Sequence, residues 1–234
     1  MSRLHDAVSK RDINRVKEYL AAGDDINTLD KYGEAILRKV VESACLEDAF
    51  EILKLLLDNK KIDINHATLR GGWTALHAAF ANCQGYVSFN DPEREKRAVE
   101  ENAYTKAIDL LIAHGAKPFK DFRGRTPLMC VIRSPGHYGF IYAIIDRYSA
   151  FEAKHFGVPA EDYKKEFMRL AMYGFVGSGD NTVPRFDYLD AFWKAIDVLA
   201  TVPKKPEVSV FSAEEQVGAE APKDNIERPD PGKH

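Results

Sequence analysis

Several kinds of chemistry are made improbable by what this sequence has little of. Its 234 residues include three cysteines, Cys45, Cys83 and Cys130, none in a Cys-x-x-Cys pair. So few, in an odd number, argue for a reducing compartment and against a disulfide framework or a zinc ribbon. The seven histidines show neither His-x-x-x-His nor His-Glu-x-x-His spacing, so no metal and no cofactor is expected. No apolar run approaches the roughly 18 residues that would span a bilayer. The opening "MSRLHDAVSKRD" lacks the apolar segment of a secretory leader, so export by that route is not expected. A net charge of -3 leaves no basic excess for a phosphate backbone, and nucleic acid is a poor partner on that count.

What is present is internal repetition. Gly-x-Thr-x-Leu occurs as "GWTALHAA" at 72–79 and "GRTPLMCV" at 124–131, with a weakened copy, "GEAILRKV", at 33–40. "LHDAV" at 4–8 keeps only the Leu-His-x-Ala part. A second signal alternates with the first: an apolar helix end and a turn, in "RVKEYLAAGDDIN", "EILKLLLDNKKIDIN" and "AIDLLIAHGAKPF". The leading leucines Leu4, Leu37, Leu76 and Leu128 are separated by 33, 39 and 52 residues.

The local chemistry fits a turn feeding a helix. Gly33, Gly72 and Gly124 permit the positive φ of a tight turn. Thr74 and Thr126 can accept a backbone N–H as helix caps, and Pro127 suits a first helical turn. "ILKLLL" at 52–57 is apolar almost all round and must be sandwiched between neighbours. Gly23 and Gly115 can close their helices in the left-handed conformation.

On these segments the chain resembles ankyrin-repeat proteins, whose unit is about 33 residues with a Thr-Pro-Leu-His-x-Ala signature. The signature residues here are Leu4, His5, Gly72, Thr74, Leu76, His77, Gly124, Thr126 and Leu128. The resemblance implies an all-α solenoid of helix-turn-helix repeats at about 2–32, 33–71, 72–122 and 123–150. It also implies that His77 and His5 are structural links, absent where Arg38 and Met129 replace them.

Repeat three carries a long insertion, "GYVSFNDPEREKRAVEENAYTKAIDLLIAHGA". One helix is expected from Asp91-Pro92 to His114, exposed and supported by the pairs Glu93–Arg97, Lys96–Glu100 and Arg97–Glu101. Residues 151–202 carry two helical patterns, 163–175 and 186–200, around the loop "VGSGDNTVP", and read as a helical cap or degenerate fifth repeat. Residues 203–234 hold five of the eleven prolines and one aromatic residue, and are expected to be a disordered tail. Its acidic character faintly resembles the tails of bacterial type IV effectors.

A nucleophile pair from His77 and Cys83 is disfavoured, since six positions along one helix do not share a face. The resemblance implies instead a scaffold, without catalytic residues, that binds a partner protein through a concave face of turn tips and first helices. The tips are Asp30, Lys31 and Tyr32; Leu69, Arg70 and Trp73; Asp121, Phe122 and Arg123. The contact residues expected are Tyr32, Arg70, Trp73, Phe122 and Arg123, joined by Tyr86 and Phe89 from the insertion. The chain is expected to be a cytoplasmic monomer without membrane insertion, or an effector delivered into a host cytosol. The alternative is a hydrolase or transferase hidden in residues 150–200.

Overall fold

The computed structural model describes residues 2–83, 92–133, 138–176 and 186–201. Within them lie α1 (Arg3–Ser9), α2 (Ile13–Ala21), α3 (Ile36–Val41), α4 (Glu47–Leu57), α5 (Ala75–Asn82), α6 (Pro92–Glu101), α7 (Ala103–Ala113), a 3-10 helix η1 (Leu128–Arg133), α8 (Tyr138–Phe156), α9 (Ala160–Val176) and α10 (Phe186–Thr201). The described residues form an all-α solenoid. Four helix pairs, α1–α2, α3–α4, α5–α7 and η1–α8, form its layers.

Side-chain caps set several helix starts. The Ser2 hydroxyl accepts from the His5 N–H, and the Asp12 carboxylate from the Arg15 N–H. Such a cap satisfies a donor that a helix end otherwise leaves unpaired, and contributes about 1 kcal/mol. The first helices α1, α3, α5 and η1 pack in sequence, as do α2, α4 and α7 behind them. Leu4, Leu37, Leu76 and Leu128 are all buried in one continuous apolar core. In α4, Ile52, Leu53, Leu56 and Leu57 are buried, each removal from water contributing about 2 kcal/mol.

Neighbouring layers are also tied by a polar ladder behind the helices. Asn27 donates through Nδ2 to the Lys61 carbonyl at 2.7 Å and accepts from the Asp63 N–H at 2.7 Å. Asn65 repeats both bonds one layer on, to the Gly115 carbonyl and the Lys117 N–H.

Two expectations need correction. The helix expected from Pro92 to His114 is broken: Asn102 is extended, and its side-chain oxygen accepts from the Tyr104 and Thr105 N–H groups. An Asn that caps N–H groups does more here than one in a helix interior. The break frees α7 to bury Ala107, Ile108 and Leu111 in the core. It also sends α6 against α8 with Val99 buried, so α6 is not a free projection. Arg97 Nε donates to the Glu93 carbonyl oxygen in α6.

The helix expected after Thr126 is the 3-10 helix η1, opened by the Met129 and Cys130 N–H groups donating to the Thr126 and Pro127 carbonyls. Pro135 follows closely in the sequence and disfavours continued helix in the residue before it. The segment 163–175 lies within α9, which reaches Val176, and 186–200 within α10. Of the loop expected between them, 177–185 lies outside the described residues, as does the tail from 202 onward.

Candidate protein-binding ridge

Three turns join the layers, and each is held open from inside by a side chain. Asp30 Oδ1 accepts from the Tyr32 and Glu34 N–H groups, and Asp121 Oδ1 accepts from those of Arg123 and Arg125, at 2.8–3.0 Å. In the middle turn the Thr68 hydroxyl does this work, accepting from the Trp73 N–H. That turn is one residue longer, which explains its paired glycines: the Gly72 N–H closes on the Thr68 carbonyl four residues back, where Gly33 and Gly124 close on Asp30 and Asp121 three back. Burial pushes the Asp121 carboxyl up, but the Arg125 N–H and guanidinium outweigh it and hold it below the usual carboxylate range. Asp30 and Asp121 are therefore brackets of the turns.

Each turn also covers the one before it. Gly33, Gly72 and Gly124 have φ of +74°, +71° and +75°. A Cβ on Gly33 would lie 2.9 Å from Leu69, and one on Gly72 would lie 2.7 Å from the Phe122 ring. Over Gly124 the covering residue is Trp193 of α10, whose Nε1–H donates to the Gly124 carbonyl at 2.8 Å. Lys120 places its ammonium over the same indole ring, 3.2 Å from the centroid. Thus α10 supplies the last cover in the series.

The covering residues keep their outer sides in solvent. Tyr32 is 54% exposed, Leu69 71% and Phe122 72%. Lys31, Arg70 and Arg123 beside them are exposed as well. Four expected contact residues, Tyr32, Arg70, Phe122 and Arg123, thus share one ridge with their neighbours Lys31 and Leu69. Trp73 does not: its Nε1–H donates to Asp121 Oδ2 at 3.1 Å and its ring stacks on His77. It is a half-buried strut between the second and third turns, not an open contact. Tyr86 and Phe89 lie outside the described residues.

The signature histidines are structural links. His77 Nδ1 accepts from the Thr74 N–H, so the ring proton sits on Nε2 and is donated to the Arg125 carbonyl at 3.3 Å. Burial lowers the His77 pKa to about 4, keeping it neutral. His5 reaches the Thr28 carbonyl at 2.7 Å. Where Arg38 replaces histidine, it pairs with Glu34 and Glu42 on its own turn and helix.

Where Met129 replaces histidine, the cap comes from a residue that sequence reasoning missed. Glu152 of α8 is fully buried, and its Oε1 accepts from the Leu128 N–H at 2.9 Å. Its Oε2 accepts from the Tyr163 hydroxyl of α9 at 2.6 Å. Burial drives its pKa up to about 7, against the lowering by these bonds. The only signal in the sequence was one more acid in a helix that also carries Asp146, Arg147 and Lys154, which a solvent-facing position explains equally well.

Among the described residues, the catalytic candidates His77 and Cys83, and His155 within 150–200, are not brought together. Burial pushes the Cys83 thiol up to about 11, and the sulfur's neighbour is the Thr105 hydroxyl at 3.5 Å, not His77. A thiol so held is poorly nucleophilic. His155 meets Phe119 and Phe156 edge to face, and Cys130 is buried with Sγ 3.8 Å from the Thr126 carbonyl. Asp180 and the Asp187 side chain lie outside the described residues. Among the described residues no group of three or more His, Cys, Asp or Glu is placed to hold a metal ion. Likewise no described helix is long and apolar enough to cross a membrane.

Paired helices stacked in register, with glycine turns along one edge, define a helical-repeat scaffold. Residues 4–89 match the family model described as ankyrin repeats (3 copies), so this stretch of the chain is similar to ankyrin repeats. The turn at 121–125 lies beyond the matched stretch and repeats its hydrogen bonding. No curated protein matches the chain. Ankyrin repeats are in general protein–protein interaction modules.

Proposed function

We propose that this chain is a protein-interaction scaffold that grips its partner along the turn ridge, with Tyr32, Leu69, Arg70, Phe122 and Arg123 as contacts. The observation that carries the reading is the row of apolar side chains held in solvent on turns fixed from within. The turn backbones are set by side-chain brackets, and Leu69 and Phe122 also rest on Gly33 and Gly72, so less ordering entropy remains to be lost on binding. Aromatic and arginine side chains held in this way are the usual energetic anchors of an interface. The insertion contacts Tyr86 and Phe89 would extend this surface but are not required by it. Delivery into a host cytosol rests on the tail alone, which lies outside the described residues.

The test is capture of a partner from lysate, purification of that protein, and titration against the full chain. Tyr32→Ala, Arg70→Ala and Phe122→Ala are each expected to weaken binding by tenfold or more, about 1.4 kcal/mol. Phe122 also covers Gly72, so its variant is compared with Tyr32→Ala, which leaves that contact intact. An unchanged dissociation constant across all three variants removes the ridge as the binding surface.

A further inference from the structure

The three tips share a composition that the repeat fold does not require. Each presents one exposed apolar side chain and, next to it in sequence, one exposed cation: Lys31 with Tyr32, Leu69 with Arg70, Phe122 with Arg123. None of these three cations forms an ion pair among the described residues. The acids at the tips are already engaged. Asp30 and Asp121 bracket their turns, Asp121 also holds Arg125, and Glu34 pairs with Arg38. A chain with net charge -3 thus presents a locally cationic edge.

Cations without a carboxylate partner, beside apolar side chains, favour a complementary partner in charge as well as in shape, and Lys31 meanwhile lies over the Tyr32 ring, 4.9 Å from its centroid. We infer that the ridge takes a peptide segment of a partner protein in which carboxylates are interleaved with apolar side chains. Each tip then offers a cation to one acidic residue and a hydrophobic contact to its neighbour. A nucleic acid fits less well: Leu69 offers no stacking surface, and three cations release few counterions. This inference rests on the ridge being the binding surface, and its test separates the two claims.

A phage-displayed random peptide library is selected on the full chain, and recovered peptides are titrated by fluorescence anisotropy. Acidic residues adjacent to Leu, Phe, Tyr or Trp are expected to be enriched. The combined variant Lys31→Glu, Arg70→Glu, Arg123→Glu alters exposed side chains only; it is expected to weaken binding about tenfold or more, with loss of the salt dependence. Tyr32→Ser, away from the glycine contacts, is expected to weaken it as well. Peptides without acidic enrichment that still lose affinity on Tyr32→Ser would overturn the acidic specificity and leave the ridge standing. Failure to recover any peptide, or binding indifferent to both variants, would overturn both. Tighter binding of an oligothymidylate strand, abolished by the charge reversal, would overturn the peptide in favour of nucleic acid.

Discussion

At the scale of single residues, the turn glycines separate two reasons for being glycine. Gly23 and Gly72 both have positive φ, at +84° and +71°, but nothing lies within 4 Å of a Cβ built on Gly23. On Gly72 the same atom would meet the Phe122 ring at 2.7 Å and the Phe122 backbone nitrogen at 3.0 Å. Alanine at Gly23 should therefore cost only the left-handed backbone term, about 1–2 kcal/mol. Alanine at Gly72 should cost at least about 1 kcal/mol more, because two turns must part. Urea denaturation of the two variants measures the difference, and equal losses would show that the turns do not press on one another. Only the backbone part of this was legible in the sequence. Leu69, Phe122 and Trp193 cover equivalent positions from very different places in the chain, and no spacing rule connects them.

Among the elements, η1, α8 and α9 are clamped together by one carboxyl group. Glu152 accepts from the Leu128 N–H and the Tyr163 hydroxyl, and burial raises its pKa from 4.5 to about 7. The protonated group's contribution is fully present below 4.5 and is lost as pH rises through about 7. His77 has the opposite sign: lowered from 6.5 to about 4, it contributes above 6.5 and loses that contribution as pH falls through about 4. Each titration is worth about 1.4 kcal/mol per pH unit, so the two slopes cancel over much of the acidic range. Glu152→Gln keeps the acceptor for Leu128 and removes one slope. Stability of that variant should rise with pH between about 4.5 and 6.5, by about 2–3 kcal/mol, where the parent stays nearly flat. Parallel pH profiles from chemical denaturation would show that Glu152 does not titrate as described. The repeat signature gave notice that histidine was missing at Met129. It could not give notice of the replacement, because Glu152 comes from the second helix of the pair and its partner from the next element.

Over the whole molecule, stability should be shared between neighbouring layers, with α9 and α10 part of the same stack. The polar ladder through Asn27 and Asn65 has Phe119 at its next sequence position, where the ring packs edge to face on His155. The turn series closes on Trp193 in the same region. Trp73 and Trp193 are the two tryptophans, and they report on the middle turns and on the C-terminal cover. Unfolding followed by fluorescence in Trp73→Phe and Trp193→Phe should give each remaining tryptophan the same midpoint as that variant's circular dichroism. A Trp193 signal that moves at lower denaturant than the circular dichroism would mean that α10 detaches before the stack opens.

The sequence alone determined the repeating unit. Helix starts, glycine turns and the leucine spine are written in neighbouring residues, since caps, φ preferences and helical periodicity act within a few positions. It also named most of the ridge, because a residue two places from a turn glycine has few places to go. Only the tertiary structure decided that Asn102 splits the insertion helix, that Trp73 is a strut, and that Glu152 and Trp193 complete the fourth layer. Those outcomes depend on groups 11 to 69 positions apart meeting in one core or on one edge, or on a choice between competing helix paths that only packing resolves.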